Sequence, residues 1–321
     1  MKVGSNDFVY EEVLDWARLP EGLTFSEVVG VDVDSLDRVY VFARGEHPVV
    51  VFDREGNFLD AWGEKHFTRP HNIFIGSDDH VYCVDDRGHA VRKFTAAGEL
   101  LLTIKPAEGP SDTGYVDNKP QTVQRAGPPF NRPTDLAISP EGDLYVSDGY
   151  GNARVHKFSP DGRLMFSWGE PGEGPGQFAL VHGVYADQSG TVYVADRLNK
   201  RIQIFDPNGE FISQWSDVHY PNTVRLGADG VVYVAELGAV FLDWPKVQLD
   251  ALPARITIRD TRGKILTEWS HPDPRGRGRF FCPHGIAVDS HGDVYVGEIP
   301  VTYTHRSAPQ DWPALRKYVR Q

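Results

Sequence analysis

This sequence predicts an all-β chain folded as a six-bladed propeller, and three observations predict it. A tyrosine-centred apolar phrase recurs at Tyr40, Tyr82, Tyr145, Tyr193, Tyr233 and Tyr295, at intervals of 42, 63, 48, 40 and 62 residues. A base period near 40 with insertions is the spacing of repeated four-stranded units. Eleven residues before each tyrosine stands a marked position that opens another apolar run: Val29, His71, Thr134, His182, Asn222 and His284. The 32 glycines and 23 prolines break the chain into short runs, as antiparallel hairpins require and long helices do not.

The fourth copy shows the unit most plainly: VHGVYADQSGTVYVADRLNKRIQIFDPNGEFISQW. It reads as a first strand (HGVYAD), a turn at Gln188-Ser189-Gly190 and a second strand (TVYVAD). A third strand (RIQIF), a Pro-Asn-Gly turn and a fourth strand (FISQW) follow. Third strands recur as VVVF (49–52), VRKF (91–94), VHKF (155–158), ITIR (256–259) and LRKYV (315–319). Fourth strands recur as FLDAW (58–62), LLLTI (100–104), LMFSW (164–168) and ILTEW (265–269). The blades fall at about 24–62, 67–104, 130–168, 178–215, 219–269 and 280–321, in one domain over 1–321. The last blade lacks a fourth strand. VLDW (13–16), within a strand at 9–16, matches the missing one, so the N-terminal strand is expected to complete it and close the ring.

Three segments exceed the repeat: 105–129 after blade 2, and 237–254 and 299–313 between the second and third strands of blades 5 and 6. Long loops in a compact repeat are either functional or tolerated surface excursions. The last two leave from the face on which second strands end.

Composition narrows the function. A formal charge of −12 argues against a nucleic-acid binder, which needs a basic footprint. No apolar run approaches the roughly 18 residues of a membrane span, and MKVGSNDFVYEEVLDW carries acids where a signal peptide has its apolar core. Cys83 and Cys282 cannot form a disulfide framework and read as small buried apolar residues. A cytoplasmic protein is the expectation.

Histidine fills the marked position in blades 2, 4 and 6. In a closed ring of six, alternate blades lie about 120° apart, so His71, His182 and His284 would converge as a three-histidine metal site. A single Pro-His in a propeller is usually structural; three in one register on alternate blades are not sporadic. His47, His66, His80, His89, His156, His219, His271, His291 and His305 have no such register and read as structural. First strands begin where second strands end, so the second-strand exits share the mouth with the marked histidines. Four places after the tyrosine, opposed blades 1 and 4 carry Arg44 and Arg197, which suit a carboxylate ligand or a salt bridge to a strand-exit acid. Tyr150, leaving blade 3, brings a phenol able to donate or accept a proton. Asp85, Asp148, Asp196, Glu236 and Glu298 recur as a repeat feature that ties neighbouring turns.

Periodicity alone also suits an open β-solenoid. The GTVYVAD and RIQIFD phrases decide, because they resemble NHL repeats, which build propellers. The run from FNRPTDLAIS to RIQIF, with FARGEH, RPHNI and CPHGIAVD, resembles the peptidyl-α-hydroxyglycine α-amidating lyase family. The resemblance implies a zinc ion on His71, His182 and His284, a catalytic Tyr150, and active-site arginines at Arg44 and Arg197. It implies cleavage of an N-acyl-α-hydroxyglycine to a primary amide and glyoxylate, hence a small carboxylate-bearing substrate. Iron, cobalt or copper would also suit three imidazoles. Where that family holds a structural calcium with an aspartate after the third histidine, this chain has Gly285, so the resemblance does not extend to calcium. The other readings are a metal-dependent hydrolase acting on a lactone or ester, and a non-catalytic NHL interaction module.

Overall fold

The computed structural model describes residues 1–116, 118–238, 252–270, 280, 282–303 and 312–321. Of the long segments, 105–129 is described but for residue 117, whereas 239–251 and 304–311 of the other two lie outside the described residues, as do His271 and His305. The architecture is the expected six-bladed β-propeller: six blade sheets, five of them of four strands in chain order and the sixth of five strands with the N-terminus on its outside, besides a small parallel pair, Glu170–Pro171 with Gln177–Phe178. No helix among the described residues is long and apolar enough to cross a membrane.

The strand pattern follows from the residues. Second strands such as Val81–Asp85, Val192–Asp196 and Val232–Glu236 are buried at every position, which is why they read as unbroken apolar runs. Outer strands such as Phe58–Trp62 and Phe211–Trp215 are mostly exposed until their last residue, a buried tryptophan. Trp215 packs on the signature tyrosine of its own blade, Tyr193, at 5.6 Å between ring centroids, and the partly buried Trp168 does the same on Tyr145 at 6.0 Å.

The chain divides into two compact units. His66–Val224 holds blades 2, 3 and 4, whose cores form around Val84, Phe130, Leu136 and Val146, and around Val155, Val184, Val194 and Phe205. Met1–Lys65 with Arg225–Gln321 holds blades 1 and 6 and the three outer strands of blade 5; the innermost strand of blade 5, Pro221–Leu226, straddles the division.

Within the latter unit the N-terminal strand completes blade 6 as expected, but it ends at Val13 and not at Trp16. Phe8–Val13 pairs with Leu315–Arg320, and Lys2–Ser5 adds a fifth strand outside it. Leu14–Trp16 is not strand, because Asp15 turns the chain at a φ of +49°. Trp16, the tryptophan that VLDW shares with the other outer strands, nevertheless takes the usual place, 5.2 Å from the Tyr295 ring. The strand is sealed by Tyr10 in the core beside Trp269 and by Arg316, which donates to both Glu12 and Glu298.

Cys83 and Cys282 are free and fully buried, as expected. Burial pushes both thiols well above the ordinary cysteine value, which removes them as thiolate nucleophiles.

Candidate metal centre

The marked position is the second residue of a six-residue innermost strand in all six blades. In blades 1, 2, 3, 4 and 6 the ladder shifts register there, so Val29, His71, Thr134, His182 and His284 are each skipped by the neighbouring strand. Such a bulge leaves one residue unpaired, bends the strand and re-aims its side chain. The repeat therefore builds one displaced residue into each of these blades.

In the unit holding blades 2 to 4, His71 and His182 are fully buried, with ring centroids 4.8 Å apart. His71 Nδ1 donates to the carbonyl of Thr134 at 2.5 Å, and His182 Nδ1 donates to that of Asn222 at 3.1 Å. Each acceptor is the marked residue of the next blade. A carbonyl can only accept, so the proton sits on Nδ1 and Nε2 keeps its lone pair, the tautomer a metal ligand needs. His284 repeats the device in the other unit: fully buried, with Nδ1 donating to the Val29 carbonyl at 2.6 Å.

The phenol of Tyr150 lies 3.2 Å from His71 Nε2 and 3.3 Å from His182 Nε2. Its ring meets both imidazoles nearly edge-on, at 81° and 85°. Gly149 makes this approach possible: a Cβ there would lie 1.7 Å from the Val181 carbonyl oxygen, immediately before His182. No other residue can precede the tyrosine without pushing the turn off blade 4. The next amide, of Gly151, donates to the Asn131 carbonyl at 3.0 Å and fixes the turn from the far side.

The strand-exit acids are structural, as expected. Asp85, Asp196, Glu236 and Glu298 pair with Arg92, Arg201, Arg255 and Arg316 on the third strand, and Asp148 lies 3.3 Å from His156 Nε2. Backbone amides complete the tie, such as Asn131 to Asp148 and Ala179 to Asp196. Asp196 is thereby engaged by Arg201, and its neighbour Arg197 has no carboxylate partner among the described residues. Arg197 is 1 % exposed, and neither its Nε nor one terminal nitrogen has a hydrogen-bond partner among the described residues. A buried, uncompensated guanidinium is costly, by roughly several kcal/mol, unless an anion completes it.

Arg44, in the other unit, differs. It donates to Glu27 at 2.8 Å and to the Thr302 hydroxyl at 2.8 Å, so its charge is already answered by an acid preceding the innermost strand of its own blade. The structure thus brings together His71, His182 and Tyr150, buries Arg197 in the same unit, and places His284 and Arg44 in the other. Gly285 fits the absence of the calcium aspartate: a Cβ there would lie 2.8 Å from the Cα of Gly30, leaving no room for a side chain.

Sequence reasoning overlooks one group. Arg132 lies with its guanidinium carbon 4.9 Å from the centre of the Tyr150 ring and is 7 % exposed. Asp86 holds it at 2.6 Å and Tyr115, from the segment 105–129, at 2.5 Å. Burial works against the charged guanidinium, yet the Asp86 carboxylate raises its pKa above the ordinary arginine value. The available signal was the Arg-Pro dipeptide that precedes the marked position in two consecutive blades, Arg69-Pro70 and Arg132-Pro133; both arginines share Asp86.

A model of the NHL repeat matches residues 130–158 and 178–205, the blades that supply Tyr150, His182 and Arg197. Among solved structures, one described as a streptogramin B lyase structure superposes over 98 % of this chain and 99 % of its own, with a TM-score of 0.59 at 12 % identity, a likeness of fold alone. The peptidyl-α-hydroxyglycine α-amidating lyase 1 of Drosophila melanogaster is 28 % identical over 76 % of this chain and 45 % of its own length. Human NHL repeat-containing protein 3 is 35 % identical over 94 % of this chain and 84 % of its own length. The chain therefore belongs to the NHL-repeat propeller family of NHL repeat-containing protein 3 and the peptidyl-α-hydroxyglycine α-amidating lyases.

Proposed function

We propose that this protein is a metal-dependent lyase that cleaves an N-acyl-α-hydroxyglycine, or a similar hemiaminal of an α-hydroxy acid, into a primary amide and glyoxylate. The reading is carried by one observation: the Tyr150 phenol sits against the Nε2 atoms of two buried histidines whose Nδ1 protons are held by carbonyls. His71 and His182, joined by His284 from the equivalent register of blade 6, are the ligands. That donor set fits a zinc ion, with three neutral imidazoles and an open position. A bound zinc supplies Lewis acidity toward the substrate hydroxyl and lowers its pKa.

Tyr150 takes the proton of that hydroxyl. As the hydroxyl carbon becomes the aldehyde carbon of glyoxylate, its bond to nitrogen breaks, and the same proton serves the departing amide nitrogen. Atoms and charge balance without a co-reactant. Arg197 receives the carboxylate, which supplies the anion its buried guanidinium lacks. Arg44, held by Glu27, contributes the weaker positive field of a partly neutralised cation.

The test is glyoxylate release from N-benzoyl-α-hydroxyglycine by purified protein, together with its metal content. Stoichiometric metal and turnover that falls in Tyr150→Phe to a small measurable remainder support the lyase. Rapid lactone cleavage with no glyoxylate would make it a hydrolase instead. Protein without stoichiometric metal, and unaltered by His182→Ala, would belong with the interaction modules; the name of NHL repeat-containing protein 3 specifies no activity.

A further inference from the structure

We propose that Arg132 is the positioning residue for Tyr150, and that the segment 105–129 exists in part to brace it. The proposal rests on the lyase reading for its kinetic consequence but not for its geometry. Tyr150 leaves blade 3 on a turn, and a turn alone does not fix the rotation of a ring that is only half-buried. One side of that ring is met by the edges of His71 and His182. The guanidinium of Arg132 lies 4.9 Å from the ring centre, within range of a cation–π contact. The Arg132 carbonyl also accepts the Tyr150 amide, at 3.4 Å, so one residue holds both the backbone and the ring of the tyrosine.

Arg132 is itself held from three directions. Asp86 of blade 2 accepts from one terminal nitrogen, and Tyr115 and Asn118 of the long segment accept from the other at 2.5 and 3.1 Å. His89 Nδ1 accepts the Arg132 backbone amide at 3.1 Å, where the arginine has a left-handed φ of +66°. A non-glycine residue takes up that conformation only where its surroundings impose it. The segment is anchored in turn: Thr113, 1 % exposed, donates to the Gly151 carbonyl, and Asn131 donates to the Ser111 carbonyl at 2.9 Å. Gly151 and Asn131 flank Tyr150 and Arg132 in sequence, so the segment is tied to the turn it braces.

Arg132, His89, Tyr115, Thr113 and Asn131 also line a cavity of about 580 Å³ between the segment and blades 2 and 3. Arg132 is therefore a wall between that space and the tyrosine, and removing its side chain would open room into which the ring can turn.

The experiment compares Arg132→Met, Arg132→Lys, Tyr115→Phe and the double variant Arg132→Met/Tyr150→Phe in the metal-loaded protein. Arg132→Met should lower kcat for glyoxylate release by about 10- to 100-fold with KM changed by no more than about twofold, the mark of a displaced reacting group. Arg132→Lys, which keeps the cation, should recover part of the loss, and Tyr115→Phe should show a smaller one. In the Tyr150→Phe background, Arg132→Met should cost nothing further. Unchanged kcat in Arg132→Met, or losses that multiply in the double variant, would overturn the proposal. A crystal structure of Arg132→Met gives a readout independent of turnover: the phenol should leave the two imidazoles. If it stays at hydrogen-bond distance from both, the positioning role is wrong whatever the reaction. Wild-type protein that releases no glyoxylate while the phenol still moves would overturn the lyase reading alone.

Discussion

Arg197 makes the sharpest demand at the scale of single residues. Arg44 has the Glu27 carboxylate, and Arg197 is buried with none among the described residues. Arg197→Met should hold or raise the melting temperature, because it removes a desolvated charge that no described carboxylate compensates. The same variant should raise KM for a carboxylate substrate by about 10- to 100-fold, the weight of a charge-assisted hydrogen bond of about 1.5–3 kcal/mol. Thermal melts and steady-state kinetics on one preparation test both. His89 carries the pH dependence: burial depresses its pKa, and its Nδ1 must stay unprotonated to accept the Arg132 amide. The folded ring binds a proton less readily than the unfolded one, so stability is full above about pH 6.5 and falls as the pH drops below it. Melts between pH 7.5 and 5 should show a smaller loss in His89→Gln than in wild type. The sequence announced the residue types of this site but not their circumstances. That Arg197 is a cation in the second-strand exit is written in the repeat; that Asp196 turns to Arg201 instead is a matter of three dimensions. Arg132 was invisible for the same reason, since its meaning lies in a ring contact across a turn and in Tyr115, from a segment with no repeat to place it.

Among the elements, the N-terminal strand is the one whose removal should be felt most. Tyr10 is fully buried against Trp269, its hydroxyl meets that of Tyr233 at 3.2 Å, and Glu12 answers Arg316. Tyr10→Ala should cost about 3–5 kcal/mol, the range for emptying an aromatic site in a packed core. Tyr10→Phe should cost far less, since only the hydroxyl pair is lost; urea unfolding of both variants provides the check. The strand's existence was legible because a blade with three strands has an open edge that something must cover. Its register was not, because Trp16 follows a left-handed Asp15 that no periodicity reveals. Where turns carry Gly, Asn and Asp at fixed places the boundaries were plain: the outer strands 58–62, 100–104, 164–168 and 211–215 begin and end where the sequence puts them.

For the molecule as a whole, metal binding and folding are expected to be linked. In the proposed centre, ligands from blades 2, 4 and 6 would tie distant parts of the chain to one ion, and such binding would stabilise the folded state by about 2.7 kcal/mol when free metal is a hundred times Kd. Chelator-treated protein should melt at a lower temperature and regain the difference on adding zinc, while His182→Ala should melt at one temperature with or without it. Calorimetric melts at fixed protein concentration decide this. The overall architecture could be read from spacing because repeats write the same instruction six times and errors in one copy are corrected by the others. A reaction is written once, in side chains contributed by several copies, and no such redundancy protects it. The skipped residue of the innermost strand carries a last consequence. Since its neighbours in the ladder pair around it, the backbone pairing of its blade does not depend on its side chain: valine, histidine and threonine occupy it among blades 1, 2 and 3. A new imidazole or acid at Val29 would leave that pairing intact, whereas at Thr134 it would also forfeit the hydroxyl's bonds to Ser147 and Val181, so this scaffold can trade one chemistry for another by single letters, more cheaply in some blades than in others.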